Sequence, residues 1–251
     1  MKPLQPTDFY TGLVAELYAL LRSSDPDPEP YARFVARYGE PALELGCGDG
    51  DPLLELRSRG LDIEGLDSSA DMLERCRGRA ADQGLDVVLH HSLFETMDIG
   101  KLFRSIYLAG PTFNLLADDR DAICALRRIN DHLAPNGAAL IPLFIPHPVS
   151  DRYIGQSREH EMADGTVVRC TPVSVIRDEA ARRQSAVLRY ERIGGGETTT
   201  LEREWVLHWH TQSGFRDLAA EAGLRVRAVL DSDGKPATDL AQHFVFILER
   251  A

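Results

Sequence analysis

The sequence predicts a doubly wound α/β protein: a mostly parallel seven-stranded sheet with an amino-terminal helical lid and an antiparallel β insertion. Three observations carry this expectation. Short apolar runs alternate with helical stretches between residues 42 and 144, the pattern of parallel strands joined by crossover helices. A glycine-rich turn, Gly46-Cys47-Gly48-Asp49-Gly50, sits between the first apolar run and its helix. After Pro146 the texture changes to alternating stretches broken by Asp164-Gly165 and Gly194-Gly195-Gly196, which are hairpin signals.

Each element has its own reason. Thr7 to Arg22 places Phe9, Leu13, Val14, Leu17, Leu20 and Leu21 on a helical stripe, with Thr7 as its N-cap. Pro26, Pro28 and Pro30 cannot continue that helix, so residues 23–30 read as an extended acidic linker. A short helix over Tyr31–Tyr38 leads to the first strand, Ala42–Leu45, and then to a helix over Pro52–Ser58 with Pro in its first turn. Leu61–Leu66 is the second strand, and Ser68 with Asp71 resembles a capping box opening a helix over Ser69–Ala81. Val87–His90 and Ser105–Leu108 are the third and fourth strands. The helix Asp118–Leu133 carries Ile123, Leu126, Ile129 and Leu133 on one face, stops at Pro135-Asn136-Gly137, and gives way to a fifth strand, Ala138–Phe144. Within the insertion, Val187–Ile193 and Thr198–His208 flank the glycine turn. A helix over Gln212–Ala222 ends at Gly223, and Arg225–Leu230 with His243–Leu248 complete the main sheet. The expected division is a lid and linker over 1–30, a ligand-binding domain over 31–146 and 211–251, and a substrate cap over 147–210.

The 251 residues hold 39 acidic and 28 basic side chains, a formal charge of −11. With no cluster of Lys and Arg, nucleic acid is not an expected partner. Apolar segments such as Gly137–Ile145 fall well short of the ~20 residues of a spanning helix, so no membrane association is expected either. Cys47, Cys76, Cys124 and Cys170 are far apart and form no CxxC pair, which favours reduced thiols. Asp8 and Glu16 interrupt the amino-terminal stretch, which therefore does not look like a secretory leader, and a cytoplasmic location is expected. Homo-oligomerisation stays open.

The stretch Glu44-Leu45-Gly46-Cys47-Gly48-Asp49-Gly50 is the informative one. Glycines at 46 and 48 let the backbone turn sharply and let a ligand approach where a Cβ would clash. The helix after Pro52 points its amides into the crevice at the carboxyl ends of the strands. Asp67 ends the second strand, where a carboxylate can accept the hydroxyl hydrogens of a ribose. No P-loop or G-x-S-x-G elbow is present, which argues against NTPase and hydrolase activities.

In full, that stretch matches E/D-x-G-x-G-x-G and resembles the first motif of the class I S-adenosylmethionine-dependent methyltransferases, of the small-molecule, natural-product type. Leu133-Ala134-Pro135-Asn136-Gly137-Ala138 is similar to the family's L-x-P-G-G segment, with Asn136 in place of one Gly. The resemblance implies a Rossmann-like domain with S-adenosylmethionine as cofactor and S-adenosylhomocysteine as product. It implies that Gly46, Cys47 and Gly48 pass under the methionine part with Glu44 nearby, that Asp67 grips the ribose, and that Ser68 and Met72 lie beside the adenine. The family often has Asp after the third strand. Here the stretch is His91-Ser92-Leu93-Phe94-Glu95, which leaves Ser92 and Leu93 as the cofactor contacts. Phe103-Arg104 stands where Phe-Asp is common. The turn Leu108-Ala109-Gly110-Pro111-Thr112-Phe113-Asn114 would border the transferable methyl, with Ala109 on the cofactor and Gly110 and Phe113 on the substrate. The first helix resembles a lid whose Tyr covers the cofactor. Tyr10 is the catalytic candidate there, and Phe9 and Tyr18 are substrate contacts.

His147, His208 and His210 are the candidate general bases. In a strand His208 and His210 share one face, but no third ligand has recognisable spacing, so no metal is expected. The expected reaction is methyl transfer to a small-molecule acceptor, an amine of a natural-product or antibiotic intermediate ahead of a hydroxyl. Its rivals are a nicotinamide-dependent oxidoreductase, which would prefer G-x-G-x-x-G, and a non-catalytic S-adenosylmethionine-binding protein.

Overall fold

The computed structural model describes residues 9–22 and 26–251. Its main sheet joins β1 (Ala42–Leu45), β2 (Ile63–Asp67), β3 (Leu89–His91), β4 (Phe103–Leu108), β5 (Leu133–Phe144), β10 (Leu224–Leu230) and β11 (His243–Arg250) in the order β10-β11-β5-β4-β1-β2-β3. The pairs β1–β2, β1–β4, β2–β3 and β4–β5 are parallel, whereas β11 runs antiparallel to β5 and β10 to β11. Strand order reverses between β1 and β4, which opens a crevice at their carboxyl ends, where open α/β sheets take their ligands.

Alternation along the strands builds two cores. Leu43, Leu45, Phe103 and Ile106 pack toward α5 (Asp119–His132) and α6 (Gln212–Glu221), together with Ile129, Phe215 and Phe246. Ala42, Ile63 and Tyr107 pack toward α2 (Glu29–Tyr38), α3 (Leu53–Ser58) and α4 (Ala70–Asp82), where Phe34, Leu54 and Leu73 meet them. A second, antiparallel sheet holds β6 (Arg158–Glu161), β7 (Val167–Asp178), β8 (Arg183–Gly194) and β9 (Glu197–His208) in sequential order. The β8–β9 turn is Gly195-Gly196, with φ of 61° and 81°, a left-handed pair that suits a two-residue hairpin. No helix among the described residues is long and apolar enough to cross a membrane.

The first helix, α1 (Leu13–Leu21), departs from its sequence reading. Its N-cap is Gly12, at φ 54°, whereas Thr7 and residues 23–25 of the linker lie outside the described residues. Glu29 and Pro30 belong to the first turn of α2, where a missing N–H costs nothing, so the linker is shorter than expected. The apolar face of α1 rests on the second sheet. Phe9, Val14, Leu17 and Leu21 bury themselves against Val168, Cys170 and Tyr190 of the antiparallel sheet, and Arg192 pairs with Glu16. Each end of this segment is tied to the parallel domain. The Gly12 amide donates to Asp71 at 2.6 Å, Ser69 Oγ donates to the Tyr10 carbonyl at 2.5 Å, and Arg22 meets Asp51 at 2.6 Å.

Two further boundaries shift for local reasons. Ser69 rather than Ser68 caps α4, because its extended backbone lets Oγ accept the Met72 amide at 3.2 Å. β5 reaches back to Leu133, which pairs with Phe103 ahead of a register break, and Asn136 turns there at φ 62°. The two sheets meet at Asn114, which is fully buried. Its amide nitrogen donates to the Phe144 carbonyl at 2.9 Å and the His208 carbonyl at 3.1 Å, and its oxygen accepts the Phe144 amide at 3.2 Å.

Candidate active site

The turn after β1 folds against β2: the amides of Gly46 and Cys47 both donate to the Leu66 carbonyl, at 2.7 and 3.1 Å. Asp67 closes this turn from the end of β2. One carboxylate oxygen accepts the Gly48 amide and the other the Ser69 amide, each at 2.8 Å. Burial pushes the Asp67 carboxyl up, and those amides pull it back down. At Gly46, with φ 73°, a Cβ would lie 2.9 Å from Thr112 and 3.3 Å from Phe94. At Gly48, with φ 54°, it would lie 3.3 Å from the Met72 methyl. The glycines therefore leave room that any other residue would fill.

The room is a cavity of about 270 Å³. One half is lined by Gly46, Gly48, Asp67, Ser68, Met72 and Leu93. The other half is lined by Tyr10, Tyr18, Phe94, Glu95, Thr112, Leu115, Leu116, Ala117 and Asp121. The Tyr10 and Tyr18 rings meet edge to face at 5.6 Å, and burial pushes both hydroxyls up. Glu95 sits on the 3-10 turn after β3, and Asp121 in the first turn of α5, whose N-cap Asp118 accepts the Asp121 amide at 3.0 Å. Burial raises both carboxyls; Asp121 adds to the effect on Glu95, and Asp118 to that on Asp121. Neither has an ion-pair partner among the described residues.

Other sequence candidates sit outside the lining. Glu44 is fully buried behind it, accepts the Tyr107 hydroxyl at 2.8 Å, and is pushed up to about 8 by burial. Its second oxygen has no partner. Tyr31 stacks on Tyr107 with ring centroids 5.1 Å apart and accepts the Gly110 amide at 3.0 Å, so Glu44 and the turn at Ala109-Gly110 belong to one buried chain of contacts. Cys47 packs behind β2, where a Cβ on Gly65 would come within 2.7 Å of its sulfur. Ser92 spends its hydroxyl on the Leu93 carbonyl at 3.1 Å.

Several placements correct the sequence reading. Phe113 does not face the cavity: it is fully buried and packs edge to face on Phe215 at 5.4 Å, because the 3-10 turn Thr112–Leu115 presents Thr112 and Leu115 instead. Phe9 is buried against Tyr190. His208 and His210 share one side as expected, but they are buried beside Asp119 and do not line the cavity. His147 is exposed beyond β5 and does not line it either. Sequence reasoning missed Phe94, Glu95, Thr112, Leu115, Leu116, Ala117 and Asp121. Their one available signal was position, each following the carboxyl end of a strand.

In sequence and fold the chain is similar to known methyltransferases. Residues 42–137 match the family model described as a methyltransferase domain. The chain is 29% identical over 186 residues to the dTDP-3-amino-3,6-dideoxy-alpha-D-glucopyranose N,N-dimethyltransferase of Streptomyces fradiae, covering 70% of this chain and 71% of that protein. It is 28% identical over 213 residues to the cypemycin N-terminal methyltransferase of a Streptomyces species, covering 84% of each. Among solved structures, the CcbJ methyltransferase of Streptomyces caelestis superposes with a TM-score of 0.76 at 23% identity, over 97% of this chain and 98% of that one.

Proposed function

We propose that this S-adenosylmethionine-dependent methyltransferase takes as its acceptor an amine nitrogen of a small natural product. One observation carries the proposal: among the described residues, the charged side chains lining the cavity are Asp67, Glu95 and Asp121, with no Lys, Arg or His beside them. A cavity of that sign concentrates a cationic amine and disfavours an anionic acceptor. The names of two relatives point the same way, since one dimethylates an amino-sugar nitrogen and the other acts at a peptide amino terminus.

The residues present fit the cofactor. Asp67 stands at the end of β2 with lone pairs free for a ribose, Met72 and Leu93 offer apolar surface for an adenine, and Gly46 and Gly48 leave the space a Cβ would fill. Bound there, S-adenosylmethionine would supply an activated methyl on its sulfonium, to be passed to the acceptor nitrogen with S-adenosylhomocysteine as the leaving group. The protein's own task is alignment and the exclusion of water. Tyr10 and Tyr18 wall the cavity from the α1 side, and Leu115 and Leu116 wall it from the turn after β4. Glu95 and Asp121 attract the ammonium form, and their raised carboxyls can take the proton that the nitrogen must lose before it attacks. A hydroxyl acceptor is served less well, because His147, His208 and His210 are all absent from the lining. The methyltransferase domain sets aside the nicotinamide oxidoreductase alternative.

Matched amine and hydroxyl analogues of an amino-sugar nucleotide and of a short peptide test this reading, with product mass and NMR as readouts. Methyl on nitrogen, at a rate that rises as the amine deprotonates, is expected. Methyl found only on oxygen overturns it.

A further inference from the structure

We propose that Asp119, His208 and His210 bind a divalent transition-metal ion of the zinc type at the junction of α5 and the end of β9. Asp118 spends its carboxylate capping α5, whereas the Asp119 side chain turns toward the antiparallel sheet. There one Asp119 oxygen, Oδ1, lies 3.4 Å from His210 Nδ1 and 3.7 Å from His208 Nε2. These separations are long for hydrogen bonds but suit the edge of a tetrahedron with bonds of about 2.0–2.2 Å, which is about 3.4 Å. The three ligand atoms lie within 4.8 Å of one another, so a small ring rotation closes the set.

Arg182 can only donate. One of its nitrogens pairs with Asp119 Oδ2, which leaves Oδ1 facing the two rings. Asp119 Oδ1 is buried with no hydrogen-bond partner among the described residues, and it faces the two ring nitrogens. A cation is what that arrangement lacks. Arg182 opposes it by charge but steadies the carboxylate by holding the other oxygen, as groups behind metal ligands do. The Asp119 side chain is 43% exposed, which leaves a route for the ion and for a water as fourth ligand. None of the three residues lines the cavity, so the ion would brace the two sheets and take no part in methyl transfer.

The test uses the untagged full chain, stripped with chelator and titrated with Co²⁺ while its visible absorption is followed, then with Zn²⁺ as competitor. One equivalent of four-coordinate cobalt, displaced by zinc and accompanied by a higher melting temperature, is expected. Asp119→Asn and His210→Ala should each weaken uptake about a hundredfold, the scale of damage to a metal site. Arg182→Ala should keep it or tighten it. If neither the wild type nor Arg182→Ala takes up a stoichiometric ion, the proposal is wrong; that titration decides the matter even where a ligand variant does not fold. Equal uptake by folded Asp119→Asn and the wild type overturns it as well.

Discussion

The two halves of the cavity are built in different ways. The half holding Gly46, Gly48, Asp67 and Met72 comes from one continuous run, β1-α3-β2-α4, and backbone amides set its geometry. The half holding Tyr10, Tyr18, Glu95, Leu116 and Asp121 draws on α1, the turns after β3 and β4, and the start of α5. Part of it hangs on a helix whose apolar face belongs to the antiparallel sheet. The contrast teaches where tolerance lies. A site made of consecutive backbone groups admits few side chains, whereas a site assembled from separate elements changes when any one of them moves.

The harshest way to break the contrast is to remove α1. Deleting residues 9–22 uncovers Val168, Cys170 and Tyr190, so the antiparallel sheet should lose solubility and turnover should vanish. The single change Leu17→Ala should cost about 2–4 kcal/mol in urea melts. If the truncated chain stays soluble with its melting temperature unchanged, the packing assigned to α1 is wrong.

Next comes the backbone-built half. Asp67→Ala should weaken S-adenosylmethionine binding by about 1–3 kcal/mol in calorimetry, the scale of lost charge-assisted hydrogen bonds, with little effect on acceptor KM once cofactor saturates. An equal loss on both ligands would erase the division between the halves.

Glu95→Gln and Asp121→Asn should do the reverse. Each should raise the KM for the amine about tenfold, less than a buried pair would give because both sites are half open to water, and leave cofactor affinity nearly intact. Salt should weaken the wild type and barely touch the double variant. No change in KM would remove the electrostatic support for an amine acceptor.

The smallest effect is on stability against pH. Glu44 is held at about 8 in the folded chain against an ordinary 4.5, so the folded state keeps a proton that the unfolded chain releases. Its contribution is present at low pH and is lost as pH rises through about 8. His210, taken from 6.5 to about 3, works the other way and loses stability as pH falls below 6.5. Denaturant midpoints of the cofactor-free protein should therefore decline as pH rises from about 6.5, where the opposing His210 effect ends, to about 8 and level off above that, and Glu44→Gln should flatten the decline.

The same contrast explains what was legible in the sequence. Glycines at 46 and 48 and a carboxylate at 67 declare a backbone-built turn, because only such residues satisfy its φ angles and amides. Strands alternating with helices likewise announced a mostly parallel main sheet, though not the order of its strands. A period of two says that His208 and His210 share a side; it does not say which side, and their neighbour Asp119 comes from a different element far back in the chain. Phe113 misled because an aromatic after a strand reads equally as wall or core, and the choice rests on the phase of one 3-10 turn. Glu95 and Asp121 carry no local mark at all. They meet across a space that exists only once β3, β4 and α5 are assembled.

Asn114 has a mechanical consequence. Its three hydrogen bonds fasten the turn after β4 to the last residue of β5 and the last residue of β9, so this corner of the two sheets is pinned from within. Arg177 adds a bond to the Pro146 carbonyl beside it. The far end is held instead by Gly12 on Asp71 and Arg22 on Asp51. Amide exchange should therefore be slowest at Phe144 and quicken toward Gly12, and Asn114→Ala should flatten that gradient.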